Sequence, residues 1–247
     1  MPPRSASLFT ATAVSFCVAI ASCSAAPAQT PATADSCDRI AAVKFDGVEI
    51  VSVKSEPAEL PIEGVHLFGG MMGKPELGPP AKGLPAFCRV SGRIRPEPGS
   101  NISFEVWMPA QNWNGRLSGL GIGGFAGSID YLGLSSAVKA GQAGMATDTG
   151  HAGSMVDSTW AAGHPERVRD YGWRAIHVST VAAKEITAAY YGRAPEHAYF
   201  VGCSGGGRQG LTEASRYPIA ACPPHCRCGS KLTVSLRCSL PDEAGVR

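Results

Sequence analysis

The amino-acid sequence predicts an α/β fold in which a mainly parallel β-sheet is flanked by helices. Short apolar runs typical of buried strands alternate with helical segments along residues 37–218. A long helix is predicted at Trp173–Tyr191, because small and apolar residues recur there at spacings of three and four. Near the end of this region, the apolar run Ala198–Val201 enters a glycine-rich turn and then a helical segment. Together these features predict one domain with right-handed strand–helix–strand crossovers.

Five earlier segments have the composition of β-strands. The first alternates apolar and polar residues, and turns rich in glycine or proline separate several of the others. The predicted strands are Val48–Val53, Cys88–Ile94, Ile102–Trp107, Leu117–Ile122 and Gly144–Thr147.

Two shorter helices are predicted beside the long one. Leu132–Ala140 is followed by Gly141, and the long helix is followed by Gly192. Glycine directly after a helix supplies the left-handed residue that ends it. The run Gln209–Tyr217 is the last predicted helix.

The first 28 residues have the pattern of an export signal. Arg4 precedes the apolar run Leu8–Ala21, which is too short to span a bilayer as a permanent helix, and small residues follow. We therefore expect an exported protein that is secreted, periplasmic or held in the outer membrane as a lipoprotein. Residues 29–36 would form a flexible linker.

Two ways of processing this signal remain open. Ile20–Cys23 resembles a bacterial lipobox, in which Cys23 would become the lipidated first residue and anchor the protein to a membrane. Alternatively, Ala26–Ala28 fits the A-x-A pattern of an ordinary signal peptidase site.

Charge and cysteine content limit the classes of partner. The net charge of the 247 residues is +2, which is too small to predict nucleic-acid binding. Nine cysteines in an exported chain indicate disulfide bonds. Cys222, His225, Cys226 and Cys228 are irregularly spaced, so neither a metal site nor a cofactor is predicted. The oligomeric state is not predicted.

The glycine-rich turn Gly202–Gly206 matches the pattern G-x-S-x-G, with Ser204 at its centre. Between a strand and a helix, this pattern presents a serine hydroxyl on a sharp turn, beside the free N–H groups of the helix N-terminus. Gly202 and Gly206 would let the strand and the helix approach closely. A turn that binds phosphate, or one with only a structural role, has the same local pattern.

A longer set of motifs resembles the tannase and feruloyl esterase family of α/β-hydrolases. The resemblance covers about residues 37–218 and includes the segments Leu84–Val90, Phe104–Pro109, Trp113–Arg116, Gly123–Gly127, Thr147–His151, Arg174–His177, Gly202–Gln209 and Glu213–Pro218. Gly205 departs from the family, which commonly has threonine there. The resemblance stops after Pro218.

The resemblance implies a serine esterase that acts on aromatic esters such as feruloyl or galloyl esters. Ser204 would be the nucleophile. The oxyanion hole would use the N–H of Gly205 and an N–H from an earlier loop, with Gly124 and Phe125 as the candidates. A small aromatic ester is therefore the expected partner.

Three cysteines in the matched region have expected roles. Cys37 and Cys88 would form a disulfide, which the resemblance also implies. In the family, the cysteine at the position of Cys203 bonds to a cysteine beside the catalytic histidine. A buried, inert thiol at Cys203 is the alternative.

Two residues that could be mistaken for an acid and a base precede the nucleophile. In this fold the acid and the histidine follow the serine, so Asp148 and His151 are interpreted as structural. His177 lies near the apolar face of the long helix and is interpreted as a packing residue.

The segment 219–247 differs from the rest of the sequence. It contains four of the nine cysteines and shows little periodicity. A strand–helix unit needs about 30 residues, so this segment is too short to supply both an acid and a histidine. The alternative to an active serine esterase is therefore an inactive, truncated remnant. In such a remnant the edge of the strand before Ser204 would be left unpaired. The family's calcium-bearing lid would also follow Pro218, so calcium is not expected.

Overall fold

The structure is a computed structural model that describes residues 34–59, 61, 62, 65, 72, 79–217 and 232–235. The export signal and Cys23 lie outside these residues. The elements are α1 (Ala34–Ile40), β1 (Val48–Glu56), β2 (Phe87–Ile94), β3 (Ile102–Pro109), β4 (Arg116–Leu120), α2 (Tyr131–Lys139), β5 (Ala143–Thr147), α3 (Pro165–Arg169), α4 (Ala175–Tyr191), β6 (His197–Val201), α5 (Gly205–Arg216) and β7 (Leu232–Ser235).

The described strands form one sheet in the order β1-β2-β3-β5-β4-β6-β7. Strands β1, β2, β3 and β5 pair antiparallel, and β5, β4, β6 and β7 pair parallel. The predicted α/β class is confirmed. Parallel pairing is confined to the half of the sheet that contains the glycine-rich turn.

The expectation of an unpaired edge beside β6 is wrong. Leu232–Ser235 forms β7, which pairs parallel with β6 from Ala198 to Val201. This short segment, Leu-Thr-Val-Ser, includes two β-branched residues, which favour strands. The cysteines and prolines around it concealed the pattern in the sequence.

Helices cover both faces of the sheet, and β3 shows why. Its residues Phe104 and Val106 pack in one buried cluster with residues of α4, such as Ile186. Trp107, the next residue along the strand, packs in a second cluster with Leu134 of α2. Successive side chains of a strand point to opposite faces, so one strand contributes to both cores.

The termini of two helices differ from the predicted bounds. Helix α5 begins at Gly205, four residues before the predicted start. A π-helical turn, Asp170–Arg174, precedes α4.

The predicted disulfide between Cys37 and Cys88 is present and joins α1 to β2. Among the residues that the structure describes, no helix is both long and apolar enough to cross a membrane.

Candidate active site

Ser204 occupies the turn between β6 and α5 in a backbone conformation that serine rarely adopts. Its φ is 53° and its ψ is −119°, and its side chain is exposed. A positive φ in a residue with a Cβ is sterically unfavourable, so surrounding contacts must impose it. This geometry is typical of a nucleophile turn.

Close contacts between glycine backbones impose the turn. A Cβ placed on Gly202 would lie 2.5 Å from the backbone of Gly206, and a Cβ on Gly206 would lie 2.8 Å from the backbone of Gly121. Both distances are too short for a side chain. The close approach that the sequence predicted at Gly202 and Gly206 is therefore present, and Gly121 of the neighbouring loop takes part in it.

The N-terminus of α5 lies against the loop that follows β4. The N–H of Gly205 belongs to the first turn of the helix, whose N–H groups have no intrahelical acceptor. A Cβ placed on Gly205 would lie 3.0 Å from the nitrogen of Gly124 and 2.9 Å from its oxygen. The helix N-terminus and the Gly124 backbone are therefore in contact.

The loop after β4, residues 121–127, is held by hydrogen bonds on several sides. Ile122 N–H donates to Oε1 of the buried Gln209 at 3.1 Å, and Gly127 N–H donates to Gly153 O at 3.0 Å. The N–H of Phe125 donates to Met155 O at 2.9 Å. The N–H of Phe125 is therefore already occupied, which is incompatible with its expected role as an oxyanion donor in this conformation. Gly124 N–H donates no hydrogen bond to another described residue.

His151 supports this loop rather than Ser204. Its Nε2 donates to Phe125 O at 2.9 Å, and its Nδ1 lies 3.3 Å from the hydroxyl of Thr149. The ring stacks on Trp160 with 3.8 Å between centroids. Burial lowers the pKa of His151, so the neutral ring is favoured. These contacts agree with the interpretation of His151 as structural.

Asp148 follows β5 and holds backbone groups in β3 and in the turn after β5. Its Oδ1 accepts hydrogen bonds from Ser103 N–H at 2.9 Å and Gly150 N–H at 2.8 Å. Desolvation raises its pKa to about 6, although both N–H donors favour the ionised form. Its bonds go to backbone groups, which agrees with a structural role.

An open cavity of about 680 Å³ lies beside Ser204. Its described lining contains neither a histidine nor a carboxylate, so a proton acceptor would have to come from elsewhere in the protein. The lining residues are Gly202, Cys203, Ser204, Gly207, Arg208, Leu211, Thr212 and Ser215. Cys203 takes part in a disulfide, so it is not the inert thiol that was the alternative.

The described residues bring no three His, Cys, Asp or Glu side chains together in a way that could hold a metal ion. Cys222, His225, Cys226 and Cys228 lie outside those residues.

The side chain of His177, in α4, contacts α5, with its Nδ1 3.0 Å from Oε1 of Glu213. Its place in the helix packing agrees with its interpretation as a packing residue.

Two residues that organise the site were not predicted from the sequence. The hydroxyl of Tyr171 donates to Gly124 O at 2.7 Å, and the guanidinium of Arg208 lies over the Tyr171 ring, 4.6 Å from its centroid. Arg208 lies inside the family-like motif Gly202–Gln209, so the sequence did contain a signal that could have identified it. Nothing in the local sequence distinguishes Tyr171.

Comparisons with known proteins agree with this geometry. The family model described as tannase and feruloyl esterase matches residues 88–220. An uncharacterized esterase of Xanthomonas campestris pv. campestris is 44% identical over 137 residues, which are 56% of this chain and 24% of the relative. A probable feruloyl esterase B-2 of Aspergillus flavus is 39% identical over 131 residues, 53% of this chain and 25% of the relative.

A solved structure shares the fold. The crystal structure of feruloyl esterase B from Aspergillus oryzae superposes with a TM-score of 0.66 at 29% identity, covering 75% of this chain and 35% of that one. The chain spans about a quarter of the length of the two curated relatives. Because the family match extends over more than half of the sequence, this chain belongs to the tannase and feruloyl esterase family.

Proposed function

We propose that this chain carries the nucleophile and the oxyanion hole of a serine esterase that hydrolyses aromatic carboxylic esters. The observation that carries the proposal is the backbone of Ser204, held at a φ of 53° at the N-terminus of α5. A serine pinned in this way exposes its hydroxyl next to unpaired N–H groups. Family membership supports the ester chemistry.

In the proposed reaction, Oγ of Ser204 attacks the ester carbonyl carbon and forms a tetrahedral intermediate. The N–H groups of Gly205 and Gly124 stabilise its oxyanion, because they are fixed in place before charge develops. Collapse of the intermediate expels the alcohol and leaves an acyl-enzyme, which water hydrolyses. A base from outside the described residues takes the serine proton, as histidine does in the family that the sequence resembles.

Aromatic esters are the proposed substrate class, with feruloyl and galloyl esters as the specific candidates. The names of the relatives support this choice, since one is a probable feruloyl esterase B-2 and one solved structure is a feruloyl esterase B. The side chain of Phe125 is 44% exposed beside Gly124, so an aromatic surface is available near the proposed site.

Covalent labelling with a fluorophosphonate probe tests the nucleophile. The serine oxygen displaces fluoride and forms a bond to phosphorus, and mass spectrometry of the digested protein locates the adduct. We expect labelling at Ser204 in the purified chain and none in Ser204→Ala. Ser215→Ala is the matched control, because Ser215 lines the same cavity and should be dispensable for labelling.

Hydrolysis of methyl ferulate, methyl gallate and methyl hexanoate then tests the substrate class. Turnover of an aromatic ester that disappears in Ser204→Ala supports the proposal, and a preference for methyl hexanoate would contradict its substrate part. A folded chain that is neither labelled nor active would contradict the proposal and favour the inactive remnant.

We further propose that the chain is exported, with lipidation of Cys23 and cleavage after Ala28 as the two alternative ways of processing the signal. The charged start, the apolar run and the lipobox-like Ile20–Cys23 support this proposal. Globomycin, which blocks lipoprotein signal cleavage, should cause the precursor to accumulate in the native host. An unmodified mature N-terminus at Gln29 would contradict lipidation while leaving export intact.

A further inference from the structure

The two backbone groups of one peptide unit in the loop 121–127 are held from opposite sides. The carbonyl oxygen of Gly124 accepts a hydrogen bond from the hydroxyl of Tyr171 at 2.7 Å. The N–H of Phe125, on the same peptide unit, donates to Met155 O at 2.9 Å. Because the peptide bond is planar, two bonds at its two ends fix the orientation of the whole unit.

This orientation determines where the N–H of Gly124 points. Only the φ and ψ of Gly124 separate that N–H from the fixed peptide plane, and its φ is 57°. A Cβ on Gly124 would lie 2.3 Å from Met155 O, so this position has no room for a residue with a side chain. A change in the Gly124–Phe125 plane would therefore turn the N–H of Gly124, whose nitrogen lies against the N-terminus of α5.

Arg208, a residue of α5, holds Tyr171 in place. The guanidinium of Arg208 lies over the Tyr171 ring, and its Nη1 and Nη2 donate to Gly172 O at 3.0 Å and Tyr171 O at 3.3 Å. The backbone N–H of Arg208 donates to Ser204 O at 3.0 Å. The turn of helix that begins at Ser204 thus also carries the residue that positions Tyr171.

We infer that Tyr171, braced by Arg208, is a positioning residue that sets the Gly124 N–H relative to Ser204 and so fixes the geometry of the oxyanion hole. This inference rests on the proposed function. Tyr171 touches neither the nucleophile nor the substrate in this scheme, and it acts through the Gly124 carbonyl. Removal of its hydroxyl should slow the chemical step and leave substrate binding unchanged, since the donor matters most when charge develops.

Tyr171→Phe tests the inference, because it removes one hydroxyl and keeps the ring under Arg208. Tyr191→Phe is a closely matched control: the Tyr191 hydroxyl also donates to a backbone carbonyl, Pro109 O, at 2.7 Å, away from the site. We expect Tyr171→Phe to lower the rate of fluorophosphonate labelling of Ser204, and kcat for ester hydrolysis, by about 10- to 100-fold with KM unchanged. The control should keep the wild-type rates despite a similar loss of thermal stability.

Amide hydrogen exchange gives a readout that does not depend on activity. We expect faster exchange in the segment 121–127 in Tyr171→Phe, and wild-type exchange there in Tyr191→Phe. Arg208→Lys should raise exchange in the same segment, because lysine cannot donate to two carbonyls while stacking on the ring.

Two results would overturn the inference. One is wild-type exchange at 121–127 in Tyr171→Phe, and the other is a labelling rate equal to that of the Tyr191→Phe control. If the wild-type chain is not labelled at all, the proposed function fails. The exchange measurement then still decides whether Tyr171 fixes the loop.

Discussion

His177 and Glu213 join α4 and α5, the helices that precede and follow β6: the Nδ1 of His177 lies 3.0 Å from Oε1 of Glu213. The His177 ring stacks on Tyr217 with 3.4 Å between centroids. Glu213 is only 2% exposed, and its Oε2 has no hydrogen-bond partner among the described residues. His177 is thus the side chain that pairs with a buried carboxylate at the α4–α5 contact.

Replacement of His177 by alanine should destabilise the fold, because Oε1 of the buried Glu213 would then also lack a partner. We expect the free energy of unfolding to fall by about 1–3 kcal/mol in urea denaturation at pH 7. His164→Ala is the control, since His164 makes a similar 3.0 Å contact with Glu166 but its side chain is 43% exposed. A loss below about 0.5 kcal/mol is expected there, and equal losses in both variants would contradict the argument.

Gly205→Ala should disturb the contact between α5 and the loop 121–127. The added Cβ would lie 2.9 Å from Gly124 O, and overpacking of this kind costs about 1–3 kcal/mol, more than alanine gains over glycine at a helix end. Lower stability and slower labelling of Ser204 are therefore expected. Gly123→Ala is the matched control, because a Cβ there meets no atom within 4 Å. A stabilised Gly205→Ala variant with normal labelling would show that the loop yields easily.

Asp148 should make stability fall as pH rises through the mildly acidic range. Desolvation raises its folded-state pKa to about 6, above the unfolded value of about 3.9. The folded protein therefore holds an extra proton between these values, and stability declines from about pH 4 to about pH 6 by roughly 3 kcal/mol. Asp148→Asn should lack this decline, because the amide stays neutral.

The pH dependence of unfolding in urea, measured from pH 4 to pH 8, checks this prediction. Asp157 shows the opposite sign outside this range: hydrogen bonds from the Thr159 N–H and hydroxyl lower its pKa, so its contribution to stability is lost only as pH falls below about 4. A difference between wild type and Asp148→Asn that is constant across this range would contradict the prediction.

The disulfide between Cys37 and Cys88 should contribute several kcal/mol to stability. It closes a segment of 51 residues, and a loop of that length corresponds to about 4 kcal/mol in the chain-entropy treatment. We expect the free energy of unfolding of the double variant Cys37→Ala/Cys88→Ala, measured in urea under oxidising conditions, to be lower by that amount. Under reducing conditions the double variant and the wild type should differ little, and a persistent gap would assign the effect to lost packing.

The sequence predicted β1 to β6 well because the signal of these strands is local, whereas it did not predict β7. The alternation of apolar and polar residues at the start of the predicted strand Val48–Val53 can be read directly from the sequence, and β1 forms there. The start of α5 could not be read in this way. Gly205 and Gly206 are poor helix formers, yet they are helical here because Gly121 packs against the backbone of Gly206.

The site was predictable to the extent that its chemistry lies in one short motif. The turn around Ser204 follows from its neighbours in sequence. The Phe125 N–H donates its hydrogen bond to Met155 O, and Gly124 O accepts one from the hydroxyl of Tyr171, 47 residues further along the chain. Such pairings depend on which loops meet at the sheet edge, and neither segment alone contains that information.

The bond between Ile122 and Gln209 has a consequence for how the protein folds. These residues are separated by 87 positions and lie just beyond the paired strands β4 and β6, so we expect them to meet once these strands have paired. Closure of so long a segment is slow compared with the formation of local turns and helices. Under the proposed function, Ser204 should therefore gain its reactivity during refolding only after most helical structure has appeared. The fraction of Ser204 that the fluorophosphonate labels at each time would then equal the fraction of molecules in which β4 and β6 have paired. Collapsed intermediates without this pairing would not be labelled.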